Sequence, residues 1–101
     1  MCAIAGVFNM NTQDATLEAM LDTMRRRGPD AAGIYGMADG YLLHARLAVI
    51  DPDGGRQPMT LTYGGETYTI VYNGELYNTR ELRRELGQLG HVFATQSDTE
   101  V

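Results

Sequence analysis

A chain of 101 residues forms one domain at most, too short for a two-domain enzyme. Apolar residues make up 44% and charged residues 21%, an ordinary globular balance, and no apolar run approaches the roughly 18 residues of a membrane span. Eight arginines without a lysine, set against thirteen acids, give a formal charge of −5 that repels nucleic acid, while Cys2 alone forms no internal disulfide and with His44 and His91 fits no zinc spacing.

The N-terminus lacks a basic region followed by an apolar stretch, so a cytoplasmic, reducing setting is expected, with Cys2 a free thiol. Residues 2–8 form a short apolar run closed by Asn9-Met10-Asn11-Thr12, which suits a buried strand ended by a turn. Leu17, Met20, Leu21 and Met24 recur at helical spacing. Asp14 or Thr16 is available to cap that helix, and Arg25, Arg26 and Arg27 complement its C-terminal dipole. Gly28 suits a left-handed position after the helix, and Pro29 forbids continuation.

From Tyr41 to Ile50, Leu43, Ala45, Leu47 and Val49 alternate with Leu42, His44, Arg46 and Ala48, which predicts a strand with one wholly apolar face. That face needs a covering layer, expected to lie largely beyond Val101. Gly64-Gly65 joins 59–63 to 66–72 as a two-residue hairpin turn would. Asn78, with Glu81 three residues on, opens a second helix whose stripe is Leu82, Leu86 and Leu89. Val92-Phe93 predicts a short strand, and Ser97-Asp98-Thr99-Glu100 spells a capping box at the start of a third helix. A helix start signal one residue before the last position leads to the expectation that the chain is a fragment of a longer protein.

Several side chains have two readings. Cys2 is either a small buried hydrophobe or, once Met1 is removed, a thiol and a free α-amine on one residue, nucleophile and base together. Asn73-Gly74 is either a hairpin turn or an amide side chain and an unhindered N–H facing a reacting oxygen. Arg46 is either a solvated strand residue or a bidentate partner for a carboxylate. Asp98 either charges the first turn of a helix or binds an ammonium group. His44 reads as structural, with no partner identifiable.

Taken together, Arg27-Gly28-Pro29-Asp30, the run His44–Asp51, Gln57-Pro58, the run Tyr72–Asn78 and Ser97-Asp98-Thr99-Glu100 resemble the class II glutamine amidotransferases, whose nucleophile is an N-terminal cysteine. Within that family the motifs are similar to those of the glutamine-hydrolysing asparagine synthetases, and the resemblance covers nearly the whole chain. Ala3 departs from it, standing where the family most often has glycine.

The resemblance implies an α+β fold, the N-terminal half of an αββα four-layer sandwich with antiparallel sheets of the N-terminal-nucleophile hydrolase type. Residues 1–101 would then be a partial glutaminase domain. It implies that Cys2 attacks the side-chain amide of glutamine, and that Asn73 and Gly74 hold the oxyanion. Arg46 takes the α-carboxylate and Glu75 with Asp98 the α-ammonium, while Leu47, Ala48, Val49 and Ile50 line the pocket through backbone groups. No cofactor or metal is implied in this segment. ATP and Mg²⁺ belong to a C-terminal synthetase domain of the same full-length protein, which amidates aspartate with the ammonia released. Neither nucleic acid nor membrane is an expected partner. The rival readings are an amidotransferase for another carboxylate, a relative that closes a lactam after losing glutaminase activity, and a non-catalytic module of the same fold.

Overall fold

A computed structural model describes residues 2–48 and 53–101. Its elements in chain order are β1 (Ala3–Phe8), α1 (Asp14–Met24), β2 (Ala31–Met37), β3 (Gly40–Arg46), β4 (Met59–Tyr63), β5 (Glu66–Ile70) and α2 (Thr79–Gln88), followed by a single 3-10 turn at Asp98–Glu100. The fold is α+β, with antiparallel pairing in a three-stranded sheet ordered β1-β3-β2 and in the separate β4-β5 hairpin.

β3 is the central strand, and its alternation decides what lies on each side. Leu43 stands opposite Ala5 and Ile34, and Ala45 opposite Ala3 and Ala32, so these residues share one face. α1 lies across that face and buries Leu17 and Leu21 against Leu43 and Ala45, with Val7, Met20, Met24, Ile34 and Tyr41 packed around them. Burial of each large side chain here contributes about 1.5–3 kcal/mol. The expected covering layer is therefore supplied from within the chain, by α1. Ala3 is packed at the edge of the same cluster.

The segment Ala31–Met37 gave no strand signal, because Gly33 and Gly36 interrupt its apolar pattern. It becomes β2 through a seven-residue register with β3, from Ala31 opposite Arg46 to Met37 opposite Gly40. Gly33 is needed there for space: a Cβ would fall 2.5 Å from the carbonyl oxygen of Gln57.

The ends of both helices depart from expectation. α1 begins at Asp14 after an extended Gln13, without a side-chain cap. Asp14 in the first turn complements the dipole instead. Gly28 is not left-handed. A Cβ on it would lie 2.2 Å from the Ala45 carbonyl and 2.4 Å from the Arg46 nitrogen, so the glycine lets the chain cross tightly over the end of β3. Asp30 N–H then donates to the Arg46 carbonyl at 2.9 Å. α2 follows Asn78, whose side chain makes no cap, and buries none of its leucine stripe.

The hairpin forms as its turn chemistry predicts, with Gly64 and Gly65 at φ 60° and 81°, both positive as a type I′ turn requires. Val92-Phe93 forms no strand. Val92 is 93% exposed, and Phe93 lies 4.6 Å beneath the Arg83 guanidinium. The molecule is flat, 45 × 33 × 18 Å, and its 7099 Å² of accessible surface exceeds the roughly 5,700 Å² of a compact chain of 11.1 kDa.

Candidate active site

The sheet face opposite α1 carries the polar alternates of β3. The β1–β3 ladder ends with Ala3 opposite Ala45, and one step further brings Cys2 beside the end of β3. There the Leu47 N–H donates to Cys2 Sγ at 3.4 Å, and Sγ lies 3.7 Å from the Leu47 carbonyl oxygen. Cys2 is half-buried and its thiol is free.

Cys2 opens on a cleft of about 560 Å³, the volume range of small-molecule sites. Of the residues singled out in the sequence, Cys2, Arg46, Leu47, Asn73, Gly74, Glu75 and Asp98 all wall this one cleft. They come from four stretches of chain: the residue before β1, the end of β3, the turn after β5, and the 3-10 turn. Arg46, only 5% exposed, lines the cleft together with Glu75 and Asp98, so its wall includes residues of both charges. Such a wall complements a zwitterion. Ala48 is not among the walling residues, and its N–H is taken by Asp30 Oδ2 at 2.8 Å. Val49 and Ile50 lie outside the described residues.

The turn at 73–76 is held by its neighbours. Asp98 Oδ2 accepts the Leu76 N–H at 2.9 Å, which ties it to the 3-10 turn. A Cβ on Gly74 would sit 2.8 Å from the Tyr72 hydroxyl, so any other residue there would have to displace the Tyr72 ring. The 3-10 turn keeps half of the expected capping box. Ser97 Oγ accepts the Thr99 N–H at 3.2 Å, but Glu100 reaches the backbone N–H groups of Ala94 and Thr95, each at 2.6 Å, and the Thr95 hydroxyl. Burial pushes the Glu100 carboxyl up, but the Thr95 hydroxyl, these two N–H groups and the Arg83 charge outweigh it and leave it below its ordinary value. Arg83 completes the frame by donating to the carbonyls of Thr95 and Ser97, at 3.0 and 2.6 Å.

Gly55, Gln57, Tyr72, Tyr77, Ser97 and Thr99 also wall the cleft, and residue-type reasoning gave none of them a role in a site. The available signal was adjacency: Tyr72 precedes Asn73, and Ser97 and Thr99 flank Asp98. His44, read as structural without a partner, has one. Its Nε2 lies 3.1 Å from the Tyr72 carbonyl oxygen.

The model of the glutamine amidotransferase domain family matches residues 1–101. Among curated relatives, a glutamine-hydrolysing asparagine synthetase 3 of Bacillus subtilis is 50% identical over all of this chain. Asparagine synthetase 1 of Arabidopsis thaliana is 44% identical and asparagine synthetase B of Escherichia coli 40%, again over the full chain. The chain spans only 17–18% of the length of these relatives.

Proposed function

The chain belongs to the glutamine amidotransferase domain family, and on that premise we propose that it carries the glutaminase centre of an asparagine-synthetase-like enzyme. One observation supports this above the others. Cys2 Sγ, receiving the Leu47 N–H at 3.4 Å, opens on a cleft that Arg46, Asn73, Gly74 and Asp98 also wall.

In the proposed reaction Met1 is removed, which leaves Cys2 with a thiol and a free α-amine. The amine takes the thiol proton, and the thiolate attacks the side-chain amide carbon of glutamine. The Asn73 side-chain amide and the Gly74 N–H stabilise the oxyanion that develops. The C–N bond breaks, the proton held on the α-amine passes to the leaving nitrogen, and ammonia departs from a thioester on Cys2. Water then cleaves the thioester, returning the thiol and releasing glutamate. Arg46 binds the α-carboxylate of the substrate and Glu75 with Asp98 its α-ammonium. Leu47, which walls the cleft, contributes its backbone alongside.

The ammonia serves a C-terminal synthetase domain of the full-length protein that amidates aspartate. The present residues are then the N-terminal half of an αββα sandwich in a cytoplasmic enzyme. ATP and Mg²⁺ are assigned to that synthetase domain. No described helix is long and apolar enough to cross a membrane.

The test combines mass spectrometry with glutamine hydrolysis by the full-length protein. The mature form is expected to lack Met1 and to turn over glutamine, and Cys2→Ala to lose that activity while free ammonia still supports amidation. An active Cys2→Ala protein, or full activity with Met1 quantitatively retained, would refute the mechanism.

A further inference from the structure

Both polar groups of the Tyr72 backbone are taken by side chains rather than by a strand. Its carbonyl oxygen lies 3.1 Å from His44 Nε2, and its N–H donates to Gln57 Oε1 at 2.6 Å. These partners stand 28 and 15 residues away in sequence. The carbonyl belongs to the planar Tyr72–Asn73 peptide and the N–H to the preceding one, so holding both fixes the two planes between which Tyr72 turns. Asn73 is the next residue, and the ring of Tyr72 lies over Gly74.

Both side chains are themselves anchored. His44 is fully buried in the central strand, at 0% exposure. A carbonyl only accepts, so Nε2 carries the proton, and Nδ1 is left as a buried acceptor without a hydrogen-bond partner in the structure. A buried acceptor without a partner is unfavourable, so His44 is a costly choice for mere filling. Gln57 spends its other end on Thr99 Oγ1 at 3.0 Å, which joins Tyr72 to the turn carrying Asp98.

We infer that His44 and Gln57 are positioning residues that grip the Tyr72 backbone and so aim the Asn73 side chain and the Gly74 N–H at the reacting oxygen. This rests on the oxyanion role proposed above. The grip acts where charge develops, while Arg46, two residues from His44 on β3, meets charge already present in the substrate. Loosening the grip therefore slows turnover and leaves glutamine binding nearly intact.

The experiment is steady-state glutamine hydrolysis by the full-length protein carrying His44→Leu, His44→Gln, Asn73→Ala, or His44→Leu with Asn73→Ala. His44→Leu is expected to lower kcat about tenfold or more with KM changed less than about twofold, since small misplacements of reacting groups are costly. His44→Gln keeps an N–H donor for the carbonyl and should recover kcat to within about threefold of wild type. In the Asn73→Ala background the added loss should shrink below about threefold, because a residue acting through Asn73 has less left to disturb. Unchanged kcat in His44→Leu, a rise in KM with kcat intact, no recovery by Gln, or losses that multiply fully would each overturn the inference. If His44→Leu fails to fold, Gln57→Met is read by the same split of kcat from KM. Failure of the underlying reading looks different. Asn73→Ala would then leave kcat unchanged, whereas failure of the grip alone leaves Asn73→Ala slow and His44→Leu fast.

Discussion

β3 and the β4-β5 hairpin are both antiparallel β-structure with clean alternation, yet β3 is buried through most of its length while the hairpin is exposed on both faces. In the hairpin, Leu61 and Tyr63 are 66% and 77% exposed on one face, and Thr60, Thr62, Thr67 and Thr69 make up the other. Its conformation is encoded locally, in two glycines at positive φ and a short register. β3 depends on partners distant in sequence, since Ala3–Phe8 and Ala31–Met37 flank it and α1 covers it. Local encoding gives the hairpin its shape, and long-range burial gives β3 its stability. The residues proposed for chemistry follow the second kind of order, at the end of β3 and on turns braced by side chains.

The largest separation between the two regions should appear on truncation. Leu43→Ala removes a fully buried side chain from the cluster under α1 and should destabilise the protein by about 2–5 kcal/mol. Leu61→Ala, on the exposed hairpin, should change stability by no more than about 0.5 kcal/mol. Denaturant unfolding of both variants checks this. A large loss from Leu61→Ala would mean that the hairpin's apolar face is covered in the full-length protein, and the contrast would then hold only for these residues.

Amide exchange sharpens the same contrast on a smaller scale. An isolated two-stranded hairpin is marginally stable in water, so β4 and β5 should exchange through local opening, while β3 exchanges only with larger unfolding. Exchange of this chain read by NMR is expected to protect Leu43, His44 and Ala45 far longer than Leu61 and Tyr68. Equal protection would show that the hairpin is docked rather than free-standing.

These differences also set what the sequence could reveal. β1, α1, the hairpin and α2 were legible because each has a local signature: an apolar run, a helical period, or a turn pair. β2 was not, since Gly33 and Gly36 erase its alternation and its strand character comes from β3. Val92-Phe93 shows the opposite failure. Its residues favour a strand, but the Arg83 guanidinium covers Phe93 and bonds the carbonyls of Thr95 and Ser97. In the cleft, Cys2, Arg46, Asn73, Gly74 and Asp98 each kept two readings residue by residue, and only the motifs taken together singled them out as one set, which the fold brings to one cleft. The roles of His44, Gln57 and Thr99 were not legible, because hydrogen bonds between residues 15, 28 and 42 apart leave no periodic trace.

The smallest expected effect is that of pH, and it separates the buried strand from a braced turn. Burial holds the His44 pKa below its ordinary 6.5, as does the Arg46 charge, against the opposing effect of the Tyr72 carbonyl. The unfolded chain therefore binds a proton at His44 more readily than the folded one, and stability must fall as pH drops below about 6.5. Glu100, held below its ordinary 4.5, has the same sign in a lower window, because its carboxylate is stabilised by the groups that brace the 94–100 turn. Between these two values, of the two groups, His44 is the one acting. Thermal melts of the full-length protein against its His44→Gln variant isolate this contribution. The difference between them should be constant above pH 6.5 and move in favour of the variant as pH falls toward 4.5. Glu100→Gln should leave that upper window unchanged and flatten the curve only below it. A difference that moved the other way would mean His44 is protonated in the folded state, with Nδ1 satisfied by an acceptor.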